Sequence, residues 1–209
     1  MPIWNTIYQN YLKNGLAWAS ISKNIHPLFK KFLKKSNFEF KYALDIGCGT
    51  GKYLKILQNN GFKTNGIDSS EIAIAMTKKI LNNNSEISSV NMFKFKIPKN
   101  KYDLIISIST IHHGTKEQVQ NLINKIHKAI IKNGKVFITL PDFKSSKKWN
   151  TFKNYKKIAP ATFIPLSGPE KGLIHSFYTK KEIQKLFSKF KKLKLNLDNH
   201  GRWIIRALK

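Results

Sequence analysis

One stretch constrains this chain more than any other: Tyr42-Ala-Leu-Asp-Ile-Gly-Cys-Gly-Thr-Gly51. Tyr42, Ala43, Leu44 and Ile46 form a short apolar run without alternation, the pattern of a central parallel strand covered on both faces. Gly47, Gly49 and Gly51 follow at every second position. Glycines there let the backbone turn sharply and let a ligand approach main-chain amides at the start of the next helix. A strand, a glycine turn and a helix in this order define a nucleotide-type cradle in an α/β fold.

Spacing narrows the ligand. A dinucleotide fingerprint needs a third glycine at position 52, where Lys52 stands instead. Asp45, two residues ahead of the first glycine, is a poor neighbour for a phosphate and a good one for a cationic amino group or sulfonium. Downstream, residues 63–70 predict a second strand ending at Asp68, a carboxylate placed to accept both hydroxyls of a ribose.

These residues, with Tyr102-Asp-Leu-Ile-Ile-Ser107 and Lys132-Asn-Gly-Lys-Val136 further on, resemble the class I S-adenosylmethionine (SAM) dependent methyltransferases, specifically the type 11 group. The resemblance implies a Rossmann-like α/β fold, a seven-stranded mostly parallel sheet with helices on both faces. It also implies SAM as cofactor, S-adenosylhomocysteine as product, and no metal. The cofactor set it implies is Asp45, Gly47, Cys48, Gly49, Gly51, Asp68, Ser69, Asn91, Met92 and Ser107. Asn91 stands where the family usually keeps an aspartate for the adenine amino group, and Met92 beside it is expected to cover the ring.

Length and charge set the remaining bounds. The 209 residues suit a single methyltransferase domain. A net charge of +27 makes RNA, transfer RNA first, an alternative partner. Arginine occurs only as Arg202 and Arg206, however, and a lysine surface with abundant asparagine and isoleucine also reads as genome composition. No stretch is apolar for long enough to span a membrane, the start lacks a signal-peptide pattern, and the expected location is cytoplasmic. Cys48 is the one cysteine, so disulfides and a multi-cysteine metal site are excluded.

Residues 3–35 predict two helices broken at His26-Pro27, within a helical cap over 1–38 from which Tyr11 and Trp18 line the substrate side. Further strands are expected at 86–93, 102–107 and 136–140, with a helix from Lys116 to Lys132. At the carboxyl end of the fourth strand, His112 is the candidate catalytic residue and His113 a substrate neighbour. The Ile111-His-His113 segment is similar to that of methyltransferases acting on wobble-uridine carboxymethyl groups in transfer RNA. Residues 142–178, rich in aromatics, prolines and glycines, read as a substrate lid with His175 and Tyr178 as its polar candidates. Thr179 with Glu182 predicts a capping box opening a helix to Lys189, and 191–197 with 203–208 predict a final antiparallel pair.

The expected activity is methyl transfer by in-line displacement. Positioning dominates such a step, supplying roughly 7 to 11 kcal/mol of the barrier. A small-molecule acceptor is favoured, transfer RNA is the alternative, and a non-catalytic SAM-binding regulatory subunit is the third reading.

Overall fold

The computed structural model describes residues 3–14, 25–82, 85–148 and 151–209. In chain order these give helices α1 (Ile3–Asn14) and α2 (Pro27–Lys34), strand β1 (Tyr42–Ile46), α3 (Lys52–Asn59), β2 (Lys63–Asp68), α4 (Glu71–Ile80) and β3 (Ser85–Ser89). Next come β4 (Tyr102–Ser107), α5 (Lys116–Ala129), β5 (Ile130–Pro141), α6 (Phe143–Lys148), β6 (Tyr155–Ala159), β7 (Thr162–Pro165), β8 (His175–Ser176), α7 (Lys180–Leu186), β9 (Lys191–Leu197) and β10 (Arg202–Leu208).

Seven strands form one sheet in the order β3-β2-β1-β4-β5-β10-β9. The first five are parallel, and β10 runs antiparallel to both neighbours. Alternate residues serve opposite faces. Leu44, Ile105, Val136 and Ile205 pack with Ile123, Ile126, Ile183 and Phe187 of α5 and α7 and the turn beyond. Ala43, Leu104, Phe137 and Ile204 pack with Phe29 of α2 and with Tyr53 and Leu57 of α3. Both faces of the central strands are thus covered, which is why β1 and β4 lack polar alternation. Strand order reverses between the parallel β1 and β4, and in such sheets ligands bind outside the carboxyl ends of the strands at that point.

Local signals behave as their chemistry requires. Pro27 occupies the first turn of α2, and Ser70 caps α4 by accepting from Ala73 N. Complete capping boxes open α5 (Thr115, Gln118) and α7 (Thr179, Glu182).

Four boundaries differ from expectation. The third strand stops at Ser89 because Asn91 folds an Asx turn, its Oδ1 accepting from Phe93 N at 2.9 Å. Helix α5 ends at Ala129, where Ile130 turns extended and pairs with Tyr102. Helix α7 ends at Leu186 rather than Lys189, as Phe187 leaves the helix to pack in the core. The fifth strand starts six residues early for the same pairing reason, running from Ile130.

The segment 142–178 has structure of its own. Strands β6, β7 and β8 form a separate antiparallel sheet. Its filling is aromatic: Phe152 stacks on Phe163 with centroids 4.2 Å apart and meets Phe177 edge-on at 4.9 Å. Two bonds tie this sheet to the loop after β4. Ser176 N donates to His112 O at 2.9 Å, and Ser176 Oγ donates to Gly114 O at 2.6 Å. Among the described residues no helix is long and apolar enough to cross a membrane.

Candidate cofactor site and adjoining histidine cluster

The glycine turn is held open and shaped from three sides. Gly47 N and Cys48 N donate to Ile67 O, Thr77 Oγ1 donates to Gly49 O at 2.7 Å, and Gly49 N donates to Asp68 Oδ2 at 3.0 Å. Gly47 has φ +76°, and a Cβ there would lie 2.1 Å from Thr110 Cγ2. At Gly49 the obstacle is Tyr8 Oη, 2.7 Å from an added Cβ, so α1 lies directly over the turn. Asn5 Oδ1 accepts from Ser70 Oγ at 2.7 Å and fastens the same helix to the start of α4.

A cavity of about 770 Å³ opens at this turn. Asp45, Gly47, Cys48, Gly49, Asp68, Ser69, Asn91 and Met92 line it, so eight of the ten expected cofactor residues share one wall. The other two lie behind it. Ser107 Oγ donates to Ile46 O at 2.7 Å in the core, and Gly51 is the left-handed residue before α3, packed on Thr77. Asn91 has its side-chain oxygen committed to its own turn, which leaves the amide NH2 for the cavity.

Asp45 is the electrostatic centre of the wall. It is buried, its Oδ1 has no hydrogen-bond partner among the described residues, and burial with the neighbouring Asp68 charge pushes its carboxyl up to about 8. An orphaned buried carboxylate is costly unless a cation or donor completes it. The amino group and sulfonium of SAM are cations of the required kind. Asp68 is also raised by burial, against the opposing effect of the Ser70 and Gly49 amides. Cys48 is buried and its thiol is pushed well up, so it is a packing residue rather than a nucleophile.

Beyond this wall the same cavity reaches Trp4, Tyr8, His113, Glu170 and Arg202. Arg202 donates from Nη1 to Ser109 Oγ in a short bond. A second cavity of about 390 Å³ adjoins, sharing Ser109, Thr139, Glu170 and Arg202 with the first and adding His112 and His175. The two histidines of the loop after β4 therefore divide: His113 faces the cofactor cavity and His112 the second one. Thr115, not an imidazole, caps the following helix.

His112, His113 and His175 pack ring to ring, with centroids 4.0 Å apart for the first pair and 4.6 Å for His113 with His175. Trp4 closes on His113 edge-on at 4.9 Å. Burial holds both His112 and His113 well below the ordinary imidazole range, and neighbouring positive groups add to it. Glu170 reaches two of the rings, with Oε2 3.1 Å from His175 Nε2 and Oε1 3.7 Å from His113 Nε2.

Two substrate expectations are corrected. Tyr178 lines neither cavity; it is buried in the core cluster of the sheet with Lys116 Nζ 5.4 Å from its ring centroid. Tyr11 also lines neither cavity: it shares the helix face of Trp4 and Tyr8 but sits about one turn further along α1. Trp18 lies outside the described residues. Glu170, Trp4, Tyr8 and Arg202 carried no local motif, although Arg202 stood out as one of two arginines in a lysine-rich chain.

The parallel sheet, the glycine turn after β1 and the carboxylate at the tip of β2 define a class I SAM-dependent methyltransferase fold. The chain belongs to the methyltransferase domain family, whose pattern matches residues 12–190. It is 34% identical over 163 residues to the phosphoethanolamine N-methyltransferase of Plasmodium falciparum, covering 75% of this chain and 57% of that protein. It is 33% identical over 135 residues to the probable tRNA methyltransferase 9B of Mus musculus, covering 64% of this chain and 28% of that one. The chain thus spans less than two thirds of either relative. Among solved structures, a SAM-dependent methyltransferase of Methanosarcina mazei superposes with TM-score 0.67 at 18% identity, over 89% of this chain and 98% of that one.

Proposed function

We propose that this chain moves the methyl group of SAM to a small molecule. One observation carries the reading: a single cavity is lined both by Asp45, Gly47 and Asp68 and by Trp4, His113, Glu170 and Arg202. A cofactor and an acceptor then fit in one continuous space. The bound cofactor supplies an activated methyl group on a sulfonium. Asp45 faces its cationic part, Asp68 accepts from the ribose hydroxyls, and Val90 with Met92 offers apolar cover to the adenine.

Holding the acceptor in line is the remaining task of the protein. Helix α1 and the segment 142–178 enclose the acceptor side as cap and lid. Arg202 and Lys52 bring positive charge to the cavity, which suits an acceptor carrying a carboxylate or phosphate. The Plasmodium relative, named for a phosphorylated amine, is consistent with this class.

A transfer RNA acceptor is the second reading, favoured by the +27 charge and by the mouse relative's name. Labelled SAM offered to separated pools of total RNA and low-molecular-weight extract decides between them. Label in the small pool is the expected result. Label in RNA, lost at moderate salt, would replace it with the second reading. Binding of SAM with label in neither pool would favour a regulatory SAM-binding subunit or a protein acceptor.

A further inference from the structure

The three imidazoles between the two cavities have more in common than packing. One ring nitrogen from each of His112, His113 and His175 lies within 4.8 Å of the others. His112 Nδ1, His113 Nδ1 and Glu170 Oε1 are buried without a hydrogen-bond partner among the described residues, and His175 Nε2 meets Glu170 Oε2 at 3.1 Å without hydrogen-bond geometry. Three such atoms in one cluster are an unusual concentration, and each carries a desolvation cost of about 1–3 kcal/mol. Something that accepts lone pairs from several imidazoles at once would remove that cost.

We infer that His112, His113 and His175 bind a divalent first-row transition metal ion, with the Glu170 carboxylate against two of the ligating rings. Imidazole nitrogens suit zinc, iron, nickel and copper. Tetrahedral coordination at about 2.0–2.1 Å per bond places ligand nitrogens roughly 3.3 Å apart. The rings therefore close inward from at most 4.8 Å by side-chain rotation. Glu170 Oε1 lies 3.7 Å from His113 Nε2, on the far side of that ring from its unpaired Nδ1, which is the place of a carboxylate that orients a metal-bound histidine, and Oε2 lies 3.1 Å from His175 Nε2.

Three protein ligands leave a coordination position free, the arrangement of a site that binds substrate rather than one that only staples a fold. The position faces useful space. His113 lines the cofactor cavity, while His112 and His175 line the second. An oxygen or nitrogen of an acceptor held there by the ion sits beside the cofactor cavity. The ligands come from two separate segments, the loop after β4 and the edge of the small sheet, so the site exists only when the lid is docked.

The site is independent of whether methyl transfer occurs, and its test reads metal directly. Untagged protein is stripped with chelator and titrated calorimetrically with Zn²⁺, and SAM affinity is measured on the same samples. The expected result is one Zn²⁺ per chain. His112→Ala and His175→Ala should abolish it, and Glu170→Gln should weaken it roughly 10–100-fold. His127→Ala, on α5 away from the cluster, leaves it unchanged. Substituting Co²⁺ should give visible absorption bands that disappear in the same variants. Wild-type protein that binds no Zn²⁺ while still binding SAM overturns the site without touching the methyltransferase reading. Equal Zn²⁺ binding by wild type and His112→Ala overturns it as well. If an alanine variant fails to fold, as SAM binding reports, Glu170→Gln decides, and unchanged Zn²⁺ affinity in that variant refutes the proposal.

Discussion

Asp45→Asn probes the claim that a buried carboxylate, offset only in part by the Lys52 charge, is built into the cofactor wall. The carboxyl moves from 3.8 to about 8, a rise of about four units at about 1.36 kcal/mol each. Full ionisation in the empty site therefore costs on the order of 6 kcal/mol. The sign follows from the direction. A folded-state value raised above the unfolded one gives stability that is complete below the ordinary carboxylate range and is lost as pH rises through about 8. Between pH 5 and pH 8 the unfolded chain has already lost the proton while the folded chain is still losing it. Asp45 should then contribute a fall of about 4 kcal/mol across that interval, opposed by the rise that His112 and His113 contribute because their imidazoles are held low. In the asparagine variant that contribution is lost while those of Asp68, raised in the same direction, and of His112 and His113 remain, so the difference between the two profiles isolates Asp45. Urea unfolding of both proteins without cofactor, at several values of pH, measures the difference. Calorimetry adds a second readout: SAM binding to wild type near neutral pH should release a proton, and the variant should bind more weakly with no such release. Parallel pH profiles for the two proteins would refute the reasoning, since they would mean that Asp45 is ionised and already paired in the folded state.

Gly47→Ala should destabilise the chain by roughly 1–3 kcal/mol from the left-handed backbone alone, with a further penalty from the methyl placed 2.1 Å from Thr110. Adding Thr110→Gly, which also removes the Thr110 Cβ 2.6 Å from the added methyl, should recover only the steric part, and complete recovery of the urea midpoint would show that φ carries no strain. Asp103→Ala should act on stability and not on the site. Its carboxylate accepts from Glu39 N, Phe40 N and Tyr42 N at 3.0 Å each, and stranding those donors should cost several times about 1 kcal/mol. SAM affinity of the folded variant, measured by calorimetry, should match wild type, and a large loss would link this end of the sheet to the cofactor.

What the sequence disclosed was whatever local chemistry dictates. Glycines at 47, 49 and 51 announce a turn because L-residues resist the left-handed backbone they adopt. Ser70 and Thr179 announce helix starts because their hydroxyls satisfy amides a few residues on. Asp45 and Asp68 followed from their distance to that turn. The acceptor side was less legible because its residues meet only through tertiary contacts. Glu170 sits between β7 and β8, Arg202 opens β10, and nothing in either neighbourhood points to the other. Tyr11 and Tyr8 show how fine the margin is: both stand on the same face of one helix, and about one turn along its axis decides which reaches Gly49. Asn91 misled for a local reason, because an Asx turn competes with strand continuation and no apolar pattern reports that competition.

The two bonds from Ser176 to the carbonyls of His112 and Gly114 make the small sheet and the loop after β4 mechanically one part. Residue 175 immediately precedes that anchor. Any swing of the sheet wide enough to admit a ligand to the second cavity must strip those bonds and carry one imidazole away from the other two. Entry and assembly of the cluster are then alternatives in time: the chain is either open to traffic or equipped for chemistry.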